Sequence, residues 1–247
     1  MNLLTSRKSW MLAPAIAVIC AALLVVVWAV LEPSELIPLF DNDGHSPVEL
    51  MTLPLFALII PMVWLCCPAG GSLKRQIGWS ATWSLLGVMA IVRETDLHKM
   101  LFAHIWPDVV FKGTVFKMKF LTRAPDIPLM PKLFVLIVFI LFFASVMIPL
   151  IRYALPLIRG FFRLEPVAWT MATFGAVSVV VLTVDRLPAN LRKAGVCVDL
   201  LDRDTGTLTS LLKAFEEGGE MVMALLALLA ILQAYLIFNR GAKGVES

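Results

Sequence analysis

The chain has 247 residues, 60% hydrophobic and 16% charged, with a formal net charge of +3 and a mean hydropathy of +0.87. A soluble domain of this length needs far more polar residues to cover its surface, so the composition excludes one. Apolar runs of about twenty residues recur, the length that crosses a bilayer core of roughly 30 Å. The reading is an all-α integral membrane protein, a bundle of about six transmembrane helices with amphipathic outer loops, forming one polytopic domain over residues 1–247.

In chain order, the first expected span covers 11–31 and follows Arg7 and Lys8. It is longer than the core of a signal peptide and runs into Glu32 and Pro33 without a small-residue cleavage site, so it reads as a retained anchor. The second, 49–67, carries Pro54 and Pro61, which membrane helices tolerate when neighbours satisfy the freed carbonyls. The third, 79–98, ends in a run of ionisable residues. The fourth, fifth and sixth are expected at 133–151, 167–184 and 220–238. The connecting outer loops then fall at 32–48, 99–132 and 185–219. Cys20, Cys66, Cys67 and Cys197 form no CxxC and no metal-binding spacing, and no structural disulfide is expected.

Orientation follows from Lys and Arg counted by side. Arg7, Lys8, Lys74, Arg75, Arg152, Arg159, Arg163, Arg240 and Lys243 all fall on one side, and the loop 32–48 on the other has acids but no Lys or Arg. Both termini are expected in the cytoplasm, in a membrane such as the bacterial inner membrane.

The chemistry concentrates in "RETDLHK", residues 93–99. From Trp79, an expected interfacial anchor, a helix rises about 21 Å to Arg93 at ~1.5 Å per residue, short of a core of about 30 Å. Ionisable groups at that depth face the bundle interior and pair with one another. If the helix continues, Glu94 and His98 share a face at i, i+4, while Arg93, Asp96 and Lys99 form an ion-pair ladder. Asp185 and Arg186 on the fifth span, and Glu216, Glu217 and Glu220 at the entrance of the sixth, are the expected partners. Gly218 and Gly219 leave that backbone open to close approach.

Three readings compete for this cluster. In the first, Glu94, His98 and Glu220 are catalytic residues and metal ligands, holding Zn or Fe for hydrolysis of an outer-leaflet lipid. Arg93, Asp96, Lys99, Asp185, Arg186, Glu216 and Glu217 then bind a lipid or another anionic ligand. In the second, the protein is a non-enzymatic subunit whose charges fix packing and whose loops dock a membrane-protein partner or a second copy. The third is a proton-linked carrier. His45 and His104 are further possible nitrogens. The segment 109–123 alternates aromatic and basic residues in the manner of an amphipathic hairpin. "DNDGHSP", 41–47, resembles the start of a calcium loop but lacks its spacing. No nucleic-acid-binding patch is present, and the lipid bilayer is the one partner the composition requires.

Overall fold

The computed structural model describes residue 4 and residues 6–40, 46–66, 73–107, 109, 128–196, 200 and 206–243. A 3-10 turn, Arg7–Met11, leads into α1 (Leu12–Val30); α2 (Pro33–Phe40), α3 (Pro47–Leu65), α4 (Leu73–Glu94) and α5 (Leu97–Ile105) follow. Three long helices follow among the described residues: α6 (Leu129–Phe162), α7 (Pro166–Lys193) and α8 (Thr207–Lys243). No strand occurs among the described residues. The expected hairpin, the calcium-like loop, His45, Cys67 and Cys197 lie outside the described residues in whole or in large part.

Local chemistry sets several helix starts. Ser46 caps α3 through a reciprocal box, its hydroxyl accepting from the Glu49 amide at 3.1 Å while the Glu49 carboxylate accepts from the Ser46 amide at 3.0 Å. Pro47 then occupies the first turn, where its missing N–H leaves no bond unmade. α7 likewise opens on a proline, Pro166.

Among the described residues, five helices are long and apolar enough to cross a membrane: Lys8–Val30, Pro47–Leu65, Leu129–Phe162, Pro166–Lys193 and Thr207–Ile237. The chain is a multi-pass membrane protein. The expected count of about six is corrected to five helices of that length and apolar content among the described residues, because the third span, 79–98, breaks at Asp96 and is too polar to be one of them. α4 is long enough at 22 residues, but Gln76, Ser80, Thr82 and Ser84 dilute its apolar content and Arg93 and Glu94 close it. It packs onto the bundle antiparallel to α3, with Trp64 Nε1 donating to Ser84 Oγ at 3.0 Å and Gly87 seated against Ile59 and Ile60. A helix packed against α3 on one flank and α6 on another does not need the composition of a lipid-facing one.

The loops are shorter than expected. α7 continues to Lys193 and α8 begins at Thr207, so most of the segment assigned to the loop 185–219 is helical. Nothing stops α7 at Val184; the chain turns at Gly195, whose φ of +68° suits glycine. The glycine pair 218–219 does not interrupt α8. Within the loop 32–48, α2 buries Leu36 and Phe40 against Ala214 of α8, and within 99–132, residues 97–105 form α5.

α8 is the central element, packing on α1, α2, α3 and α7. Of its apolar stretch 44% is buried, against 6% for α1, so α1 lies at the periphery. The main core joins Phe56, Ile59 and Val63 of α3 to Ala224, Ala227 and Ile231 of α8. α7 runs antiparallel to α8: Thr170 Oγ1 donates to Gln233 Oε1 at 2.7 Å near one end, and Val181 meets Gly219 near the other. The bundle therefore has an aromatic end, with Trp10, Phe161 and Trp169, and a charged end, with Arg93, Glu94 and the α8 acids.

Candidate functional site: a buried carboxylate cluster

α4 delivers Arg93 and Glu94 on its last turn because the helix stops there. Asp96 adopts left-handed backbone, φ 49° and ψ 22°, a conformation that aspartate enters more readily than most residues, and α5 departs in a new direction. This break corrects the expected i, i+4 pairing of Glu94 with His98. His98 is buried, with Nδ1 3.0 Å from the Val92 carbonyl oxygen and its ring edge-on to Phe142 at 5.8 Å. The Arg93–Asp96–Lys99 ladder is reduced to an exposed Lys99–Asp96 pair at 2.5 Å.

α8 supplies the other side. Gly218 and Gly219 let α1 and α7 close on it at the level of the acids: a Cβ at 218 would stand 2.7 Å from Leu24 Cδ2, and one at 219 would stand 2.4 Å from Val181 Cγ2. The next residue, Glu220, is consequently 4% exposed. Its Oε1 lies 2.5 Å from Arg93 Nη2.

Glu94, Glu217 and Glu220 each bring a carboxylate oxygen to within 4.8 Å of the others. Around the trio stand further charges. Asp185 of α7 is in electrostatic reach of Arg93. Glu49 of α3 and Glu216 of α8 are in reach of Glu217, and Lys213 Nζ sits 3.3 Å from Glu216 Oε2. Arg186 is exposed on α7 and His104 is exposed on α5.

The charges do not balance. Three carboxylates share one guanidinium, and two like charges about 4.8 Å apart repel by roughly 3–4 kcal/mol at an effective dielectric near 20. A proton or a bound cation relieves that repulsion. An anion worsens it, since Arg93 and Lys99 already hold acidic partners.

Of the ten residues picked from sequence, the structure brings together Arg93, Glu94, Asp185, Glu216, Glu217 and Glu220. It leaves Asp96, His98, Lys99 and Arg186 outside the trio. Sequence reasoning gave Glu217 a supporting place and passed over Glu49. The 217, 220 spacing was available as a signal, but only the rotation of α8 set by the Gly219–Val181 contact decides which acid faces α4. Glu49 is explained locally by its capping role, which hides its second position beside Glu217.

Comparison with known proteins finds no match, whether among protein families, curated proteins or solved structures.

Proposed function

We propose that this multi-pass membrane protein takes up a cation at Glu94, Glu217 and Glu220, in the role of a proton-linked carrier. The observation that carries the reading is the convergence of three carboxylates within 4.8 Å beside one arginine. Intramembrane carboxyls gathered in this way are typical of proton and ion relays. Asp185 is exposed on α7 and in electrostatic reach of Arg93, so an acidic group at the surface stands near the pair that holds the buried Glu220.

The metal-assisted hydrolase keeps Glu94 and Glu220 in this reading and loses His98. The remaining donors are all carboxylate oxygens, which fit a hard cation such as Mg²⁺, Ca²⁺ or Mn²⁺ better than Zn or Fe. Arg93 and Lys99, from which a lipid or anionic ligand was expected, each already hold an acidic partner. We place the protein in a bacterial inner membrane with both termini cytoplasmic, on the strength of the Lys and Arg distribution; α4, 22 residues long and antiparallel to α3, carries the chain across a sixth time within the bundle, so that the termini share a side and the charged end faces outward. A second reading, a subunit with a structural charge network, draws support from the Arg93–Glu220 pair, which ties α4 to α8.

The test is proton flux into liposomes that hold the purified protein and a pH-sensitive dye, driven by a potassium diffusion potential. Wild type should conduct, Glu94→Gln and Glu220→Gln should fall at least about tenfold, and Asp96→Asn should match wild type. Absence of flux in wild type, with folded protein in the vesicles, overturns the carrier and leaves the structural network.

A further inference from the structure

An apolar groove runs between α1 and α7 and is floored by α8, enclosing about 470 Å³, within the usual range for a ligand site. Its walls are small residues on both helices, Ala17 and Ala21 facing Ala172 and Ala176, with Val222 beneath. One rim is open: Val18 is 68% and Val180 50% exposed, so the groove faces the lipid.

Its length and its ends say what fits. From Pro14 to Leu24, the limits of the groove on α1, a helix rises about 15 Å, half of a bilayer core of roughly 30 Å. The groove therefore spans one leaflet's depth of hydrocarbon. At its upper limit it meets the aromatic end. Trp10 packs on Trp169 at 4.5 Å, Phe161 stacks on Trp169 at 4.3 Å, and Trp169 Nε1 donates to the Phe161 carbonyl at 3.0 Å. Tryptophans pinned in this way mark the headgroup level.

Three exposed cations belong to the same end: Lys8, two residues before Trp10, and Arg159 and Arg163, either side of Phe161. The acid beside them is Glu165, held over Gly160 by the tight turn between α6 and α7. Three positive groups against one negative leave an excess of positive charge at the end of the bundle where Phe161 and Trp169 close a lipid-facing groove one leaflet deep.

We propose that the groove holds an acyl chain of an anionic phospholipid, with its phosphate at Lys8, Arg159 and Arg163. The tail lies against the alanines of α1 and α7 and the headgroup beside the Trp10–Trp169 pair. This site is at the opposite end of the bundle from the carboxylate cluster and stands independently of the carrier reading.

Native mass spectrometry of the protein in mild detergent, titrated with phosphatidylglycerol and with phosphatidylcholine of the same chains, tests it. Wild type should retain phosphatidylglycerol at a roughly tenfold lower concentration. The triple variant Lys8→Gln, Arg159→Gln, Arg163→Gln should lose that preference and still take up phosphatidylcholine weakly. Ala176→Trp, which fills the groove, should lose both lipids. If Ala176→Trp does not fold, Val18→Trp at the rim serves in its place. Equal retention of the two lipids by wild type overturns the proposal, as does a preference that survives either change. A dimer that Ala176→Trp dissociates overturns it too, by showing that a second copy fills the groove.

Discussion

Arg93 at the end of α4 and Glu220 on α8, 127 positions apart in sequence, form an ion pair at 2.5 Å. The two partners are unequally placed: the Arg93 side chain is 45% exposed and that of Glu220 5%. The inequality gives the pair a direction that can be measured. Arg93→Met strands a buried carboxylate beside Glu94 and Glu217 and should cost roughly 2–3 kcal/mol. Glu220→Gln leaves a half-exposed guanidinium that still faces Glu94, and should cost about 1 kcal/mol or less. Thermal unfolding of both single variants and the double variant, read as a double-mutant cycle, checks the order. Glu220→Gln proving the worse of the two would show that the acids do not crowd one another.

Gly219 makes a sharper steric prediction. Its hypothetical Cβ lies 2.4 Å from Val181 Cγ2, closer than side chains tolerate, so Gly219→Ala should destabilise by about 1–3 kcal/mol. That is the reverse of the usual gain for alanine within a helix. Val181→Ala combined with it should recover most of the loss. Unfolding midpoints in one detergent suffice for the comparison, and failure of the second change to rescue would place the strain elsewhere.

The break between α4 and α5 turns on Asp96. With φ at 49°, an alanine there should cost about 1 kcal/mol, while a glycine should be close to neutral after loss of the exposed Lys99 pair. The better helix former should therefore give the less stable protein. If Asp96→Ala instead raises stability, α4 continues through His98 and the sequence-based pairing of Glu94 with His98 revives.

Thr170 and Gln233 join α7 to α8 by a 2.7 Å bond between buried side chains, and Gln233 Nε2 has no hydrogen-bond partner among the described residues. Thr170→Val should cost about 0.5–1.5 kcal/mol by leaving the carboxamide unsatisfied at both ends. Adding Gln233→Leu should return stability toward wild type, because both partners are then apolar. An additive loss in the double variant would mean that the bond itself contributes little.

Composition and periodicity decide the class of this protein. A bilayer admits little besides helices and closed barrels, and runs such as 133–151 leave no doubt about which, so α1, α3, α6 and α7 were legible within a few residues of one end or the other. Caps were legible as well, since Ser46, Pro47 and Glu49 act on their immediate neighbours. Beyond that range the sequence is silent. It cannot show that α4 packs between α3 and α6, where the Ser84 hydroxyl accepts from Trp64. The direction of the chain after Glu94 is equally hidden, because one residue in left-handed backbone redirects everything that follows. The carboxylate cluster shows the division most plainly. That Glu94 and Glu220 would be neighbours followed from the cost of isolated charge at depth. That Glu217 completes the trio while His98 turns to the Val92 carbonyl depended on the rotation of α8 and the break at Asp96. Both are set by contacts between helices far apart in the chain, which only the folded structure contains.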